Sequence, residues 1–156
     1  MKLTILGDST SGVKLGEIDE NTAGWAEYVN DYLDSGSSVN KCVVGWGIRD
    51  FFNRGQVSWV DHTLSKLDGN DTILACFGTL ERLSRTDFGG FGARGSLFGQ
   101  HDRFKIVYDE HYKVEYKVYT FGEYLRRLAI LCRVKGVKLC FLSQIPRNTW
   151  ENGHHK

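Results

Sequence analysis

Four stretches of this chain are apolar without polar alternation. They are Lys2 to Leu6, the β-branched run from Ser37 to Gly45, DTILACFG from Asp71 to Gly78, and GVKLCFLS, which closes at Ser143. Continuous apolar strands are buried on both faces, so the pattern predicts a parallel sheet rather than a half-exposed antiparallel one. The segments between them have helical spacing. Trp25, Val29, Tyr32 and Leu33 recur at that spacing, with Gly36 placed to end the helix. Ser58 and Asp61 form a capping pair ahead of Val60, Leu64 and Leu67. Thr120 and Glu123 make a capping box, Leu125, Leu128, Ala129 and Cys132 supply an apolar face, and Gly136 is the stop. Alternating strands and helices give an α/β fold with the sheet covered on both faces.

One region breaks the alternation. Residues 82–118 are an insertion between the third and fourth strands, with two textures. TDFGGFGARGSLFG, residues 86–99, is glycine-rich and reads as an ordered loop, although its Phe-Gly pairs also suit a self-associating tract. RFKIVYDEHYKVEYKVY then alternates strictly, with Phe104, Ile106 and Tyr108 on one face and Val114, Tyr116 and Val118 on another, which predicts a β-hairpin. Its lysines and tyrosines suit either a solvated face or a ligand surface.

A length of 156 residues fits one domain, 1–156, with a single core. Twenty basic residues against 19 acidic ones leave a net charge of +1, so no global field recruits nucleic acid or an anionic membrane. The apolar runs are far shorter than the roughly 20 residues of a membrane span. MKLTILGDS enters a strand at once, without the apolar region of a secretory signal, which predicts a cytoplasmic protein. Cys42, Cys76, Cys132 and Cys140 lie in strand or helix patterns without CxxC spacing and read as reduced core thiols. No metal or cofactor is expected, since His154 and His155 have no further ligands at a useful spacing.

Ligands of an open parallel sheet bind beyond the carboxyl ends of its strands, so chemistry is sought in the loops that begin at Gly7, Gly45, Gly78 and Ser143. The first reads GDST, with Ser9 where a strand gives way to small polar residues. GDST, AGWAEYVNDYL, VNKCVVG, FGTLERLSRTDFGGFG and LSQIPRNTWENG occur in the order and spacing of the SGNH (GDSL-type) hydrolases. Across essentially its whole length the chain most resembles the fungal rhamnogalacturonan acetylesterases, secreted enzymes that remove acetyl groups from pectin.

The resemblance implies a three-layer, flavodoxin-like sheet, here truncated after its fourth strand. It implies Ser9 as nucleophile, Asp8 as its neighbour shaping the turn, and Gly45 as the glycine whose N–H helps form the oxyanion hole. It also marks departures. The family's Gly-His-Asn-Asp becomes Gly78-Thr79-Leu80-Glu81, so the asparagine that donates to the oxyanion is Leu80. Losing one such donor costs about 10²- to 10³-fold in rate. The family's Asp-x-x-His, which carries the general base, has no match in these residues, and its loop cysteines are also missing.

His62 lies in a helix, and His101 and His111 flank or occupy the hairpin, which leaves His154 and His155 as the substitute bases near a strand end. The expectation is a catalytically inactive, cytoplasmic derivative of the acetylesterase fold. It would self-assemble or bind a partner through the sheet edge formed by Val137, Leu139 and Phe141. The alternatives are a carbohydrate O-acetylesterase using Ser9, and a non-catalytic sugar-binding module whose groove is lined by Trp46, Trp150 and the hairpin tyrosines. For those aromatics, ordinary packing is the competing reading.

Overall fold

The computed structural model describes residues 1–14, 20–53, 58–79, 81, 95–109, 113–143, 150–151 and 154–155, with the backbone alone for 109, 150, 151, 154 and 155. Four parallel strands form its centre: β1 (Lys2–Gly7), β2 (Ser37–Asn40), β3 (Thr72–Cys76) and β6 (Lys138–Phe141), in the order β2-β1-β3-β6. Leu3, Thr4, Ile5, Leu6 and Gly7 of β1 pair in register with Thr72 to Cys76 of β3. Ile5, Leu6 and Ile73 are fully buried. Each such side chain contributes about 1.5–3 kcal/mol relative to exposure.

The second strand is shorter than its apolar run predicts. It stops at Asn40, whose side-chain oxygen accepts the Cys42 N–H at 3.0 Å and turns the chain locally. The ladder nevertheless continues past the turn, since the N–H groups of Lys41 and Val43 donate to the carbonyls of Ile5 and Gly7.

Three α-helices form the layer on one face: α2 (Ile48–Asn53), α3 (Trp59–Leu64) and α4 (Phe121–Lys135). Their main core joins Leu6, Ile73, Ala75 and Phe77 of the sheet to Ile48, Phe51, Val60, Leu64, Tyr124, Leu128 and Cys132. Local chemistry sets α4 as expected. The Thr120 hydroxyl accepts the Glu123 N–H, Glu123 pairs with Arg126 and Arg127, and Gly136 ends the helix at φ 78°. The Ser58 hydroxyl likewise accepts the Asp61 N–H and caps α3.

The opposite face carries the short helix α1 (Ser9–Gly12) and a 3-10 helix, Trp25–Tyr32. An α-helix is the expectation for the latter, but Leu33 N–H closes on the Asn30 carbonyl, three residues back. Ala26 is buried, Tyr32 is 85% exposed, and Gly36 turns the chain into β2 instead of ending the helix. Cover on this face is uneven. Leu74 is only partly buried, and Cys140, its partner in register on β6, is exposed.

The cysteine expectation is corrected accordingly: Cys76 and Cys132 are buried, Cys42 is half-buried, and Cys140 faces solvent because β6 is an edge strand. The hairpin is present as β4 (Phe104–Asp109) and β5 (Val114–Tyr119), with Phe104 opposite Tyr119 and Tyr108 opposite Glu115. Val118 is buried against the body, whereas Phe104, Ile106 and Tyr108 face outward. Residues 95–99 of the glycine-rich loop dock on the start of α4: Leu97 N–H donates to Tyr119 and the Leu97 carbonyl accepts from Phe121. Residues 86–94 of that loop lie outside the described residues, as do 82–85 before it.

Candidate active site

Ser9 is the first residue of α1, directly beyond the carboxyl end of β1, and is partly exposed. Asp8, fully buried, is the cap of this turn. Its Oδ1 accepts both the backbone N–H of Thr10, at 2.9 Å, and the Thr10 hydroxyl, at 2.7 Å. Asp8 therefore shapes the turn, as the resemblance implies, while its Oδ2 is buried without a hydrogen-bond partner among the described residues.

The turn lies close on the sheet because two glycines let it. A Cβ on Gly7 would come within 2.7 Å of the Cys76 carbonyl and 2.9 Å of the Ser11 hydroxyl, and one on Gly12 would meet the Cys42 Cβ at 2.1 Å. Cys42, just past the end of β2, thus lies with Gly7 of β1 and Cys76 of β3 under α1. Burial, then the Asp8 carboxylate and Cys76, push the Cys42 thiol up to about 12. Burial first, with Asp8 adding to it, raises Cys76 as well. These thiols stay protonated and serve as packing.

Gly45 lies in the turn after the second strand at φ 76°, a conformation that favours glycine. The next residues start α2, where Asp50 Oδ2 accepts the Gly47 N–H and Arg49 is buried at 2% exposure. The Arg49 guanidinium donates to the Gly95 carbonyl at 3.3 Å and lies 4.7 Å from the Tyr116 ring centre. It fastens the loop after β2 to the insertion.

In the loop after β3, Gly78 has φ 138° and Glu81 is 6% exposed. Glu81 Oε1 accepts the Ile48 N–H at 2.7 Å, which joins this loop to the one after β2. Burial pushes the Glu81 carboxyl up, and the nearby Asp8 carboxylate pushes the same way against the backbone N–H donors that hold it down. Leu80 lies outside the described residues.

The loops after the first three strands therefore meet around Ser9, Asp8 and Glu81. Sequence reasoning missed Glu81 and Arg49, although an acidic residue and an arginine in otherwise apolar loop blocks were the available signal. The histidines are dispersed. His62 is on α3 with its ring 6.2 Å from that of Trp59, His101 offers its carbonyl to the Thr120 hydroxyl, and His111 lies outside the described residues.

His154 and His155 form β8, antiparallel to β7 (Trp150–Glu151), with Glu151 directly opposite His154 and Trp150 opposite His155. Trp46 is packed edge-on between Phe51, at 5.3 Å, and Trp59, at 5.6 Å, which is the packing reading for this ring. Among the described residues no group of three or more His, Cys, Asp or Glu is placed to hold a metal, and no helix is long and apolar enough to cross a membrane.

A rhamnogalacturonan acetylesterase of Emericella nidulans is 27% identical over 150 residues, covering 96% of this chain and 54% of that protein. The crystal structure of the Bacillus subtilis protein YxiM superposes with a TM-score of 0.63 at 16% identity, over 94% of this chain and 33% of that one. Together the two likenesses support an SGNH-type hydrolase relationship. The chain spans about half the length of its acetylesterase relative and a third of YxiM, and the likeness to YxiM is one of fold. No protein-family model matches the chain. Asp8 and Ser9 follow the carboxyl end of β1, and Gly45 lies in the turn after β2.

Proposed function

We propose that this chain is a non-catalytic derivative of the SGNH-type acetylesterase fold that acts by associating with a second copy of itself. One observation carries the association: large apolar side chains are exposed on β6 and on α4. Ile130 and Val134, one turn apart on α4, are 58% and 82% exposed, and Phe141 on β6 is 42% exposed. Val137 and Leu139 belong to this strand region but not to its surface, since Val137 is buried in the core and Leu139 packs against it. The exposed apolar side chains are thus Phe141 on β6 and Ile130 with Val134 on α4, while Cys140, next to Phe141 along the strand, points to the opposite face of the sheet. Among the described residues β6 is an edge strand, and edges and exposed apolar side chains are templates for pairing, while a net charge of +1 offers little repulsion between copies.

Loss of catalysis rests on Leu80 in place of an oxyanion donor. Four free thiols support a reducing, cytoplasmic setting. Light scattering behind a sizing column, over a concentration series, tests the association. Mass that grows with concentration in the wild type and stays monomeric in Ile130→Glu/Val134→Glu is expected. A monomer at every concentration overturns the reading.

A carbohydrate O-acetylesterase is the second reading, favoured by the Ser9 turn directly beyond the end of β1, where a serine nucleophile would stand. Its test is whether ester hydrolysis depends on Ser9.

A further inference from the structure

The two outer edges of the hairpin differ. Thr120 N–H donates to the Arg103 carbonyl just before β4, and Phe104 stands opposite Tyr119. Bonded and non-bonded pairs alternate along an antiparallel ladder, so Lys105 and Val107 bond to β5, while the N–H and carbonyl groups of Phe104, Ile106 and Tyr108 point away from it. On β5 the outward groups are in use. The Lys117 carbonyl accepts from the Asn53 side chain and the Tyr124 hydroxyl, and Tyr119 N–H donates to that hydroxyl, which holds this edge against α2 and α4. On β4, among the described residues, nothing bonds to the outward groups of Phe104 or Ile106.

The same residues carry exposed apolar side chains: Ile106 is 63% exposed and Phe104 45%. The Phe104 ring is held in place by Tyr119, 5.6 Å between ring centres, and by the Lys117 ammonium, 4.5 Å from its own centre. An apolar edge of this kind is a template for another strand, and the residue order says which strand fits. Antiparallel pairing with a second β4 about a two-fold axis at Ile106 sets Ile106 against Ile106, Phe104 against Tyr108 and Lys105 against Val107, and it places Arg103 opposite Asp109 at both ends. Outward backbone groups then meet outward backbone groups, large apolar side chains share one face, and no like charges are opposed. Sliding one copy so that Phe104 meets Ile106 sets Lys105 against Lys105, and sliding it the other way carries Phe104 past the end of β4.

We infer that β4 binds a second copy of this chain by antiparallel pairing about Ile106, joining two hairpins into one continuous sheet. The contact lies on a different element from the apolar side chains of α4 and does not depend on them. A single short strand buries little surface, so the pair forms at about 1 mM and dissociates on dilution through a sizing column.

The test is NMR amide exchange of the full chain at about 0.05 mM and about 1 mM. Exchange at Phe104, Ile106 and Tyr108 should slow about twofold or more at the higher concentration. Ile106→Lys, at an exposed position, sets two ammonium groups against each other and should abolish the slowing, whereas Ile130→Glu/Val134→Glu should leave it unchanged. With oxidised glutathione, Ile106→Cys should link two copies through position 106, as peptide mass spectrometry would show, and Lys105→Cys, set against Val107, should not. Slowing that survives Ile106→Lys, slowing lost in the α4 variant, or linkage through position 105 in preference to 106 would each overturn the inference. So would the absence of slowing at about 1 mM, and that result leaves the α4 contact standing wherever the mass in solution still grows with concentration.

Discussion

Glu81 accepts the backbone N–H of Ile48 at 2.7 Å, from a carboxylate that is 6% exposed and whose other oxygen has no partner among the described residues. One side chain thereby fixes the loop after β3 against the start of α2, and with it the spacing of two loops that surround Ser9. The cost is a buried carboxylate beside that of Asp8.

A definite pH dependence follows. Burial raises the folded-state value of Glu81 above its unfolded value of 4.5, so between the two the native state holds the proton that the unfolded chain releases. Stability from this group is present below about 4.5 and declines as pH rises through the raised folded value. Glu81→Gln keeps an oxygen for Ile48 and removes the buried charge, so it should raise neutral-pH stability, whereas Glu81→Ala should lower it by about 1–3 kcal/mol. Urea midpoints of the three proteins from pH 4 to 8 check the signs.

Asp71 works in the opposite direction. Backbone N–H donation from Asp68 and Lys2 holds its carboxyl below 3.8, so its contribution is present above the unfolded value and is lost as pH falls through the lowered one. Asp71→Asn should therefore destabilise at neutral pH and flatten the acid limb of the same urea series.

Close packing under α1 makes a steric prediction. Gly12→Ala drives a Cβ to 2.1 Å from that of Cys42 and should cost about 1–3 kcal/mol, as overpacked sites do. Cys42→Gly removes the atom it strikes, so the double variant should recover part of the loss. Additive thermal shifts in the cycle would show that the two residues do not touch.

Thiol reactivity should rank by environment. Cys42 is half-buried with its thiol pushed up to about 12, whereas Cys140 is exposed on β6. Iodoacetamide at neutral pH should label Cys140 first and leave Cys42, Cys76 and Cys132 unmodified in the folded protein, as peptide mass spectrometry would show.

Features encoded by neighbouring residues were legible in the sequence. The capping box of Thr120 with Glu123, the Gly136 stop and the hairpin alternation all appear as read, because each is local chemistry. The helix α2 was not read, since IRDFFN follows two glycines that mask its start. The 3-10 form of Trp25–Tyr32 also escaped, because apolar spacing marks a helical face without fixing which carbonyl accepts. The strand-end positions of Ser9, Asp8 and Gly45 were legible from the apolar runs before them, but the Glu81–Ile48 bond spans 33 residues. Such contacts exist only once the sheet order is set.

The central claim, that the Ser9 turn survives without catalysis, is tested most directly by hydrolysis of 4-nitrophenyl acetate by the wild type and by Ser9→Ala at equal concentration. The account predicts the same rate for both, at the level expected from surface nucleophiles. A rate that falls to background only in Ser9→Ala would contradict it and establish the chain as a working serine esterase.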